Sequence, residues 1–535
     1  MTRARIFLST TAVTATLATG LLAAKPAADE ATVQHVLNRI TFGATREAVN
    51  VAMRIGLEHY VDEQLHPERA HDTSLADRLR SFDTLSLDSR AIADRYERPL
   101  LEERVRQARA GDPVQVPPTD GATPTRTQQQ ANQPLVELAS QKVLRATYSE
   151  QQLEEVLVDF WFNHFNVDAR KGPTRFMLTE YEREAIRPHV LGHFRDLLGA
   201  TAHSPAMLFY LDNWQSADPS RPHLDRVTPQ ARGQFGNRLR QRRPAGQQPR
   251  TTLPNGQPAQ QRQRPTGLNE NYGRELLELH TLGVDGGYTQ KDVTEVARAF
   301  TGWTIDQPRA GGGFRFAPAL HDDGEKVVLG HRIKAGGGES DGEAVLDIVA
   351  AHPSTARFIS TKLARRFVGD TPPPSLVARM ANTFERTKGD LRAVMSTLLS
   401  SKEFREPSAE AVKVKTPFEF VVSALRITGA DVQDARPVFR AVQQLGMPLY
   451  QCQPPTGYVD RADSWVNTGA LVGRMNIALA LADNRLPGVR ITAPDDALTL
   501  LGGHVSDATR NTIAKAQTPA QSVALALGSP EFQRR

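Results

Sequence analysis

The chain has 535 residues, 39% hydrophobic and 23% charged, a balance that suits a globular protein with a large core and excludes a wholly disordered or fibrous one. Its formal charge is +5, and the excess of base is local rather than spread along the sequence. The single cysteine, Cys452, excludes an intramolecular disulfide and any cysteine-built zinc or iron–sulfur centre.

Arg3 and Arg5 precede an apolar, Thr-rich run from Ile6 to Ala24 that ends on Ala23-Ala24 before Lys25-Pro26. A basic start, an apolar core too short to span a bilayer and a small-residue exit predict a signal peptide over 1–24. The expected location is therefore periplasmic or extracellular, with no transmembrane span after cleavage. Beyond it, a main helical domain is expected over 31–480 and a C-terminal helical segment over 481–535. Residues 31–109 read as helical, whereas 111–134 is rich in Pro, Gln and Thr and reads as loose. Leu135–Trp214 is strongly helical, and a second loose insert occupies 215–267. Between Thr228 and Thr266 that insert carries eight arginines and no acidic residue, and it lacks the apolar surface to order itself. With Phe235 as its one aromatic residue it has no interleaved stacking platform, so no nucleic acid partner is expected.

From Leu268 to Asp306 two helices run in tandem, the second opened by a Thr289/Asp292 capping box. Gly313–Phe316 and Lys326–Ile333 read as short strands around the turn former Asp323-Gly324. Helices resume at Ser354, and Thr416-Pro417-Phe418-Glu419 is a strong start for another. The expected fold is mostly α: a multi-helix, bundle-like core with one small β-hairpin and disordered Pro/Gln/Arg-rich inserts.

Three constellations could carry chemistry. In the helix from Leu268, Glu270, Arg274 and Glu278 share one face as an ion-pair ladder, while His280 faces apolar packing near the C-terminus, where the helix dipole favours its protonated form. Glu275 lies between these faces and is expected to reach inward. In the segment Glu154–Asn166, Leu157, Phe160, Trp161 and His164 form an apolar face, and Glu155, Asp159 and Asn163 a polar one. A histidine so placed is more often a satisfied core residue than a ligand. If the two helices pack, however, His164 and His280 converge with Glu275 or Asp159 as a metal site or an acid/base pair. No HExxH is present. His321 and Asp322, on the Asp-Gly loop with Lys326, suit either ligand binding or plain turn chemistry.

These residues resemble a large bacterial family known as domain of unknown function eighteen-hundred. The similar stretches are HVLNRITFG (35–43), DFWFNHFNV (159–167), FRDLLGATAHSPAMLFYLDN (194–213), NENYGRELLELHTLGVDGGYTQKDVTEVARAFTGW (269–303), HDDGEKVVLG (321–330), HPSTARFISTKLARRFV (352–368) and KTPFEFVVSALR (415–426). Gly273 stands where similar proteins usually carry Ala. The resemblance implies an exported helical protein and a second exported protein of phosphatase/sulfatase-like fold as a partner; it carries no site residues.

The expected site is one polar pocket lined by His164, Asn163, Glu275 and His280, with His321 and Asp322 at its mouth. The expected function is an acid/base or metal-assisted hydrolase acting on envelope or extracellular polymer, with cofactor and metal left open. The alternative is a non-enzymatic binding or assembly partner of another exported protein, in which the polar groups are buried structural networks.

Overall fold

A computed structural model describes residues 28–69, 72–110, 125–220, 267–308, 310–406, 413–492, 496–502 and 505–535. The predicted signal peptide, residues 111–124 of the first insert and 221–266 of the second lie outside them.

The fold is mostly helical, and sequence-encoded caps set many boundaries. Thr125 accepts from the Gln128 amide while the Gln128 side chain accepts from the Thr125 amide, and this capping box starts the helix Arg126–Tyr148. That helix takes in 126–134, which composition marked as loose; burial of Ala131, Pro134 and Leu138 on its inner face outweighs the lost proline donor. Capping boxes also start Gln290–Ala299 and Pro417–Ile427, as predicted. The sequences SKEF (401–404) and SPEF (529–532) resemble each other, and each opens a short capped helix, with Ser401 and Ser529 accepting from the amides of Phe404 and Phe532.

Among the described residues the β-structure comprises three two-stranded antiparallel sheets: β1 (Trp303–Ile305) with β2 (Phe314–Phe316), β3 (Lys326–Val328) with β4 (His331–Ile333), and β5 (Asp431–Val432) with β6 (Val489–Arg490). The predicted pairing across Asp323-Gly324 is not the one formed. Phe314–Phe316 pairs backward with β1, and the 326–333 stretch folds on itself around Leu329 (φ 49°) and Gly330 (φ 80°). Two successive positive φ angles suit the twist of a two-residue hairpin, but a leucine there hides the signal. A helix over Glu339–Ala350 also precedes the predicted restart at Ser354; Gly342 inside it and Gly336–Gly338 just before it depress helix propensity.

One hydrophobic core runs from Val33 to Phe532, and Phe420 meets Phe532 edge-on at 5.6 Å. Each fully buried Leu, Val or Phe in it contributes on the order of 1.5–3 kcal/mol. No helix among the described residues is long and apolar enough to cross a membrane.

Candidate functional site

The helix Gln152–His164 positions the centre of the site. Every member of its polar face has a fixed partner. Glu155 takes a two-pronged contact from Arg187 at 2.8 and 2.9 Å, and Asp159 pairs with Lys142 at 2.7 Å. Asn163 donates to the Tyr458 carbonyl at 2.9 Å and accepts from the Tyr458 amide at 2.7 Å. The loop can come this close because residue 457 is glycine: a Cβ there would sit 2.2 Å from the Asn163 carbonyl oxygen, and its φ is +71°.

His164 is 2% exposed, and its ring packs among Phe160, Trp161, Phe165 and Phe358. Its Nε2 lies 3.0 Å from the backbone oxygen of His280. A carbonyl only accepts, so Nε2 carries the proton and Nδ1 holds a lone pair. That Nδ1 is buried without a hydrogen-bond partner. The two histidines do converge, with ring centroids 6.2 Å apart, but the link runs through a carbonyl rather than from ring to ring.

His280 sits on a π-helical turn, Leu276–Thr281, that continues the helix Glu270–Glu275. The Leu282 amide reaches back to Leu277 O at 2.9 Å, and the Thr281 hydroxyl to Leu276 O at 2.6 Å. The wider turn breaks the expected charge ladder. Glu270 and Arg274 approach to 3.8 Å, while Glu278 accepts from the Tyr288 hydroxyl instead. The expectation of a protonated His280 is overturned. Burial, reinforced by the charge of Lys362, pushes its pKa down to about 3, and the same two causes hold His164 well below 6.5. Desolvation here exceeds what a helix dipole supplies.

A cavity of about 200 Å³ opens beside His164. Asp159, Asn163 and His164 form one wall, Lys362, Arg365 and Arg366 a second, Glu419 a third, and the 456–461 loop the rim. Sequence reasoning missed Lys362 and Arg365. Their signal was the spacing of Phe358, Lys362, Arg365 and Arg366 at i, i+4, i+7 and i+8 on the helix Pro353–Phe367. The Lys362 ammonium stands 5.5 Å from the Phe358 ring centre and, among the described residues, has no carboxylate within ion-pair distance. Burial and then the adjacent Arg365 bring its pKa down to about 8.

Buried ion pairs hold this wall in place. Glu419 takes Arg366 on one side and Arg535 at 3.2 Å on the other, and Arg535 also donates to the Arg366 carbonyl at 2.8 Å. Lys413 bridges Asp370 at 2.7 Å and Asp460 at 2.8 Å. Arg39, from the HVLNRITFG motif, donates to the Phe367 and Val368 carbonyls at 3.1 and 2.8 Å, closing the C-terminus of the helix that carries Lys362.

His280 is absent from the cavity lining and reaches it only through its contact with His164, and the other predicted residues lie elsewhere. Glu275 is half-buried and does not line the cavity; burial and the charge of Glu278 raise its pKa. His321 and Asp322 do not form the mouth. His321 is fully buried, bonded by Nδ1 to the Thr301 carbonyl at 2.8 Å and by Nε2 to Asp341 at 3.1 Å. Lys326 reaches the same Asp341 oxygen at 2.7 Å and the Gly324 carbonyl at 2.9 Å. Asp322 pairs with Arg298 at 2.7 and 3.1 Å; burial raises its pKa, but that pairing outweighs it and the net shift is downward. The loop is thus a closed network around Asp341, on a helix the sequence did not reveal. Among the described residues no three His, Cys, Asp or Glu side chains gather where a metal ion could be held.

The model of a family described as "Protein of unknown function (DUF1800)" matches residues 35–534, a span that takes in Arg39, both histidines and the cavity wall. The chain belongs to this family. Searches of curated proteins and of solved structures find no match.

Proposed function

We propose that this protein is an exported hydrolase acting on an envelope or extracellular polymer by acid/base chemistry, with His164 as the base. One observation carries the reading: the buried, unpartnered Nδ1 of His164 in the wall of an open cavity. A buried polar atom without a partner costs on the order of 1–3 kcal/mol, a cost that a donor entering the cavity relieves. The His280 carbonyl fixes the tautomer, so Nδ1 accepts a proton from water as that water attacks the scissile bond. The same nitrogen then returns the proton to the leaving group. Desolvation keeps the imidazole neutral, and therefore available, throughout the neutral range.

The test is turnover by the mature protein across a panel of envelope and extracellular polymers, compared with His164→Gln. Gln retains a donor for the His280 carbonyl, so the fold stays intact while turnover falls by roughly a hundredfold to ten-thousandfold. Equal turnover in the folded variant would remove His164 from the mechanism.

A second reading is a non-enzymatic assembly partner for another exported protein of phosphatase/sulfatase-like fold. Val466, Leu471, Val472 and Leu479 stand exposed along and just before the helix Thr468–Ala482, apolar surface of the kind that partners cover. Stoichiometric capture of such a partner, with no polymer turned over, would favour it.

A further inference from the structure

We propose that the cavity beside His164 recognises an oxyanion, a carboxylate or phosphate carried on the polymer, and that Lys362 and Arg365 hold it. The inference deepens the hydrolase reading by naming the class of substrate, and it stands on an accounting of charge around the wall. Each carboxylate there is already taken: Asp159 by Lys142, Glu419 by Arg366 and Arg535, and Asp460 by Lys413. Of the cations, Arg366 is locked to Glu419, and Arg461 pairs with Asp463 at 3.1 Å.

Lys362 and Arg365 remain. Arg365 gives its Nε to the Asp370 carbonyl at 3.3 Å, and neither cation has a carboxylate within ion-pair distance among the described residues. They stand three residues apart on one helix, like charges lining one cavity, and Arg365 is among the groups that disfavour the charged form of Lys362. A half-buried ammonium lining a cavity beside a second cation is unfavourable, and a bound anion bridging the two offsets that cost. A separate observation points to a ligand here too: the lone pair of His164 Nδ1, in the same wall without a partner, suits a hydroxyl or water donor beside the anion. The cavity of about 200 Å³ holds one charged unit of a chain rather than a whole oligomer, since each water occupies about 30 Å³.

Titration calorimetry on the wild-type mature protein tests this with D-glucuronate and glycerol phosphate as anions, and D-glucose and glycerol as their neutral counterparts. At least one anion binds while its neutral counterpart does not, and which anion binds tells carboxylate from phosphate. Affinity falls at least about tenfold in both Lys362→Gln and Arg365→Gln, the loss of one charge-assisted hydrogen bond in each. Should either variant fail to fold, pH dependence in the wild type decides. Lys362 is charged below about 8 and loses its proton above it, so affinity drops as pH rises through that value. Facing Lys362 are His164 and His280, which burial holds neutral across this range, together with Arg365 and Asp460.

Binding of neither anion, equal binding of the neutral compounds, or an affinity indifferent to both variants and to pH would overturn the anion site. Failure of the hydrolase reading looks different: anions bind and His164→Gln changes no turnover. Turnover of an uncharged polymer without anion binding would remove the anion site alone.

Discussion

Asp341→Asn is predicted to destabilise the fold by about 3–5 kcal/mol while leaving the cavity unaltered. The magnitude comes from what one carboxylate oxygen holds. Asp341 Oδ2 accepts from Lys326 Nζ at 2.7 Å and His321 Nε2 at 3.1 Å, and all three side chains are at most 1% exposed. The amide keeps an acceptor but no charge, so the Lys326 ammonium is left buried against the Asp322 and Gly324 carbonyls alone. Adding Lys326→Met removes the stranded charge, so the double variant recovers part of the loss, with a coupling of about 1–3 kcal/mol. Equilibrium urea unfolding followed by circular dichroism reads each corner of the cycle. Since none of the three residues lines the cavity, anion affinity stays at the wild-type value. A cost below about 1 kcal/mol for Asp341→Asn, or strict additivity in the double variant, would refute the view that this network is an interdependent buried charge cluster.

Two further predictions concern the fold around the histidines. Unfolded, His164 and His280 titrate near 6.5, and folded they resist protonation, His280 down to about 3. The unfolded chain therefore binds more protons as pH falls below 6.5, and stability drops by about 1.4 kcal/mol per pH unit for each histidine. Urea midpoints at several pH values check this, and a profile unchanged by His280→Gln would sink the attribution. Gly273→Ala raises helix propensity by about 1 kcal/mol, yet the added Cβ would stand 2.9 Å from the Val293 carbonyl oxygen and 3.1 Å from the Ala297 amide. Separating the two helices costs more than propensity returns, so we predict net destabilisation of about 1–2 kcal/mol, and a raised urea midpoint would reverse that sign.

Much of the fold was legible because its signals are local. The capping residues at Thr289 and Thr416, and the apolar face of Gln152–His164, act within a turn or two of themselves. The meeting of His164 and His280 was also within reach, since both lie on apolar faces of helices that had to pack. Lys362 was not, because its character depends on what fails to reach it. Lys413, by contrast, is 1% exposed and fully paired, and no local pattern separates the two lysines. The His321 loop misled for the converse reason. Its partner Asp341 sits twenty residues on, in a helix hidden by glycines. The π turn at Leu276–Thr281 escaped because a period of 3.6 was assumed throughout.

The cluster that backs the cavity joins residues 366, 419 and 535, with Arg39 closing the adjoining helix end. Contacts so far apart along the chain form late, because long loops must close before they are rewarded. During synthesis Arg366 and Glu419 emerge well ahead of Arg535, and until Arg535 docks against Lys413 the Glu419 carboxylate lacks its second cation. The cavity wall is thus braced by contacts that close only once distant parts of the chain have met. The anion site we propose is therefore complete only in the completed fold.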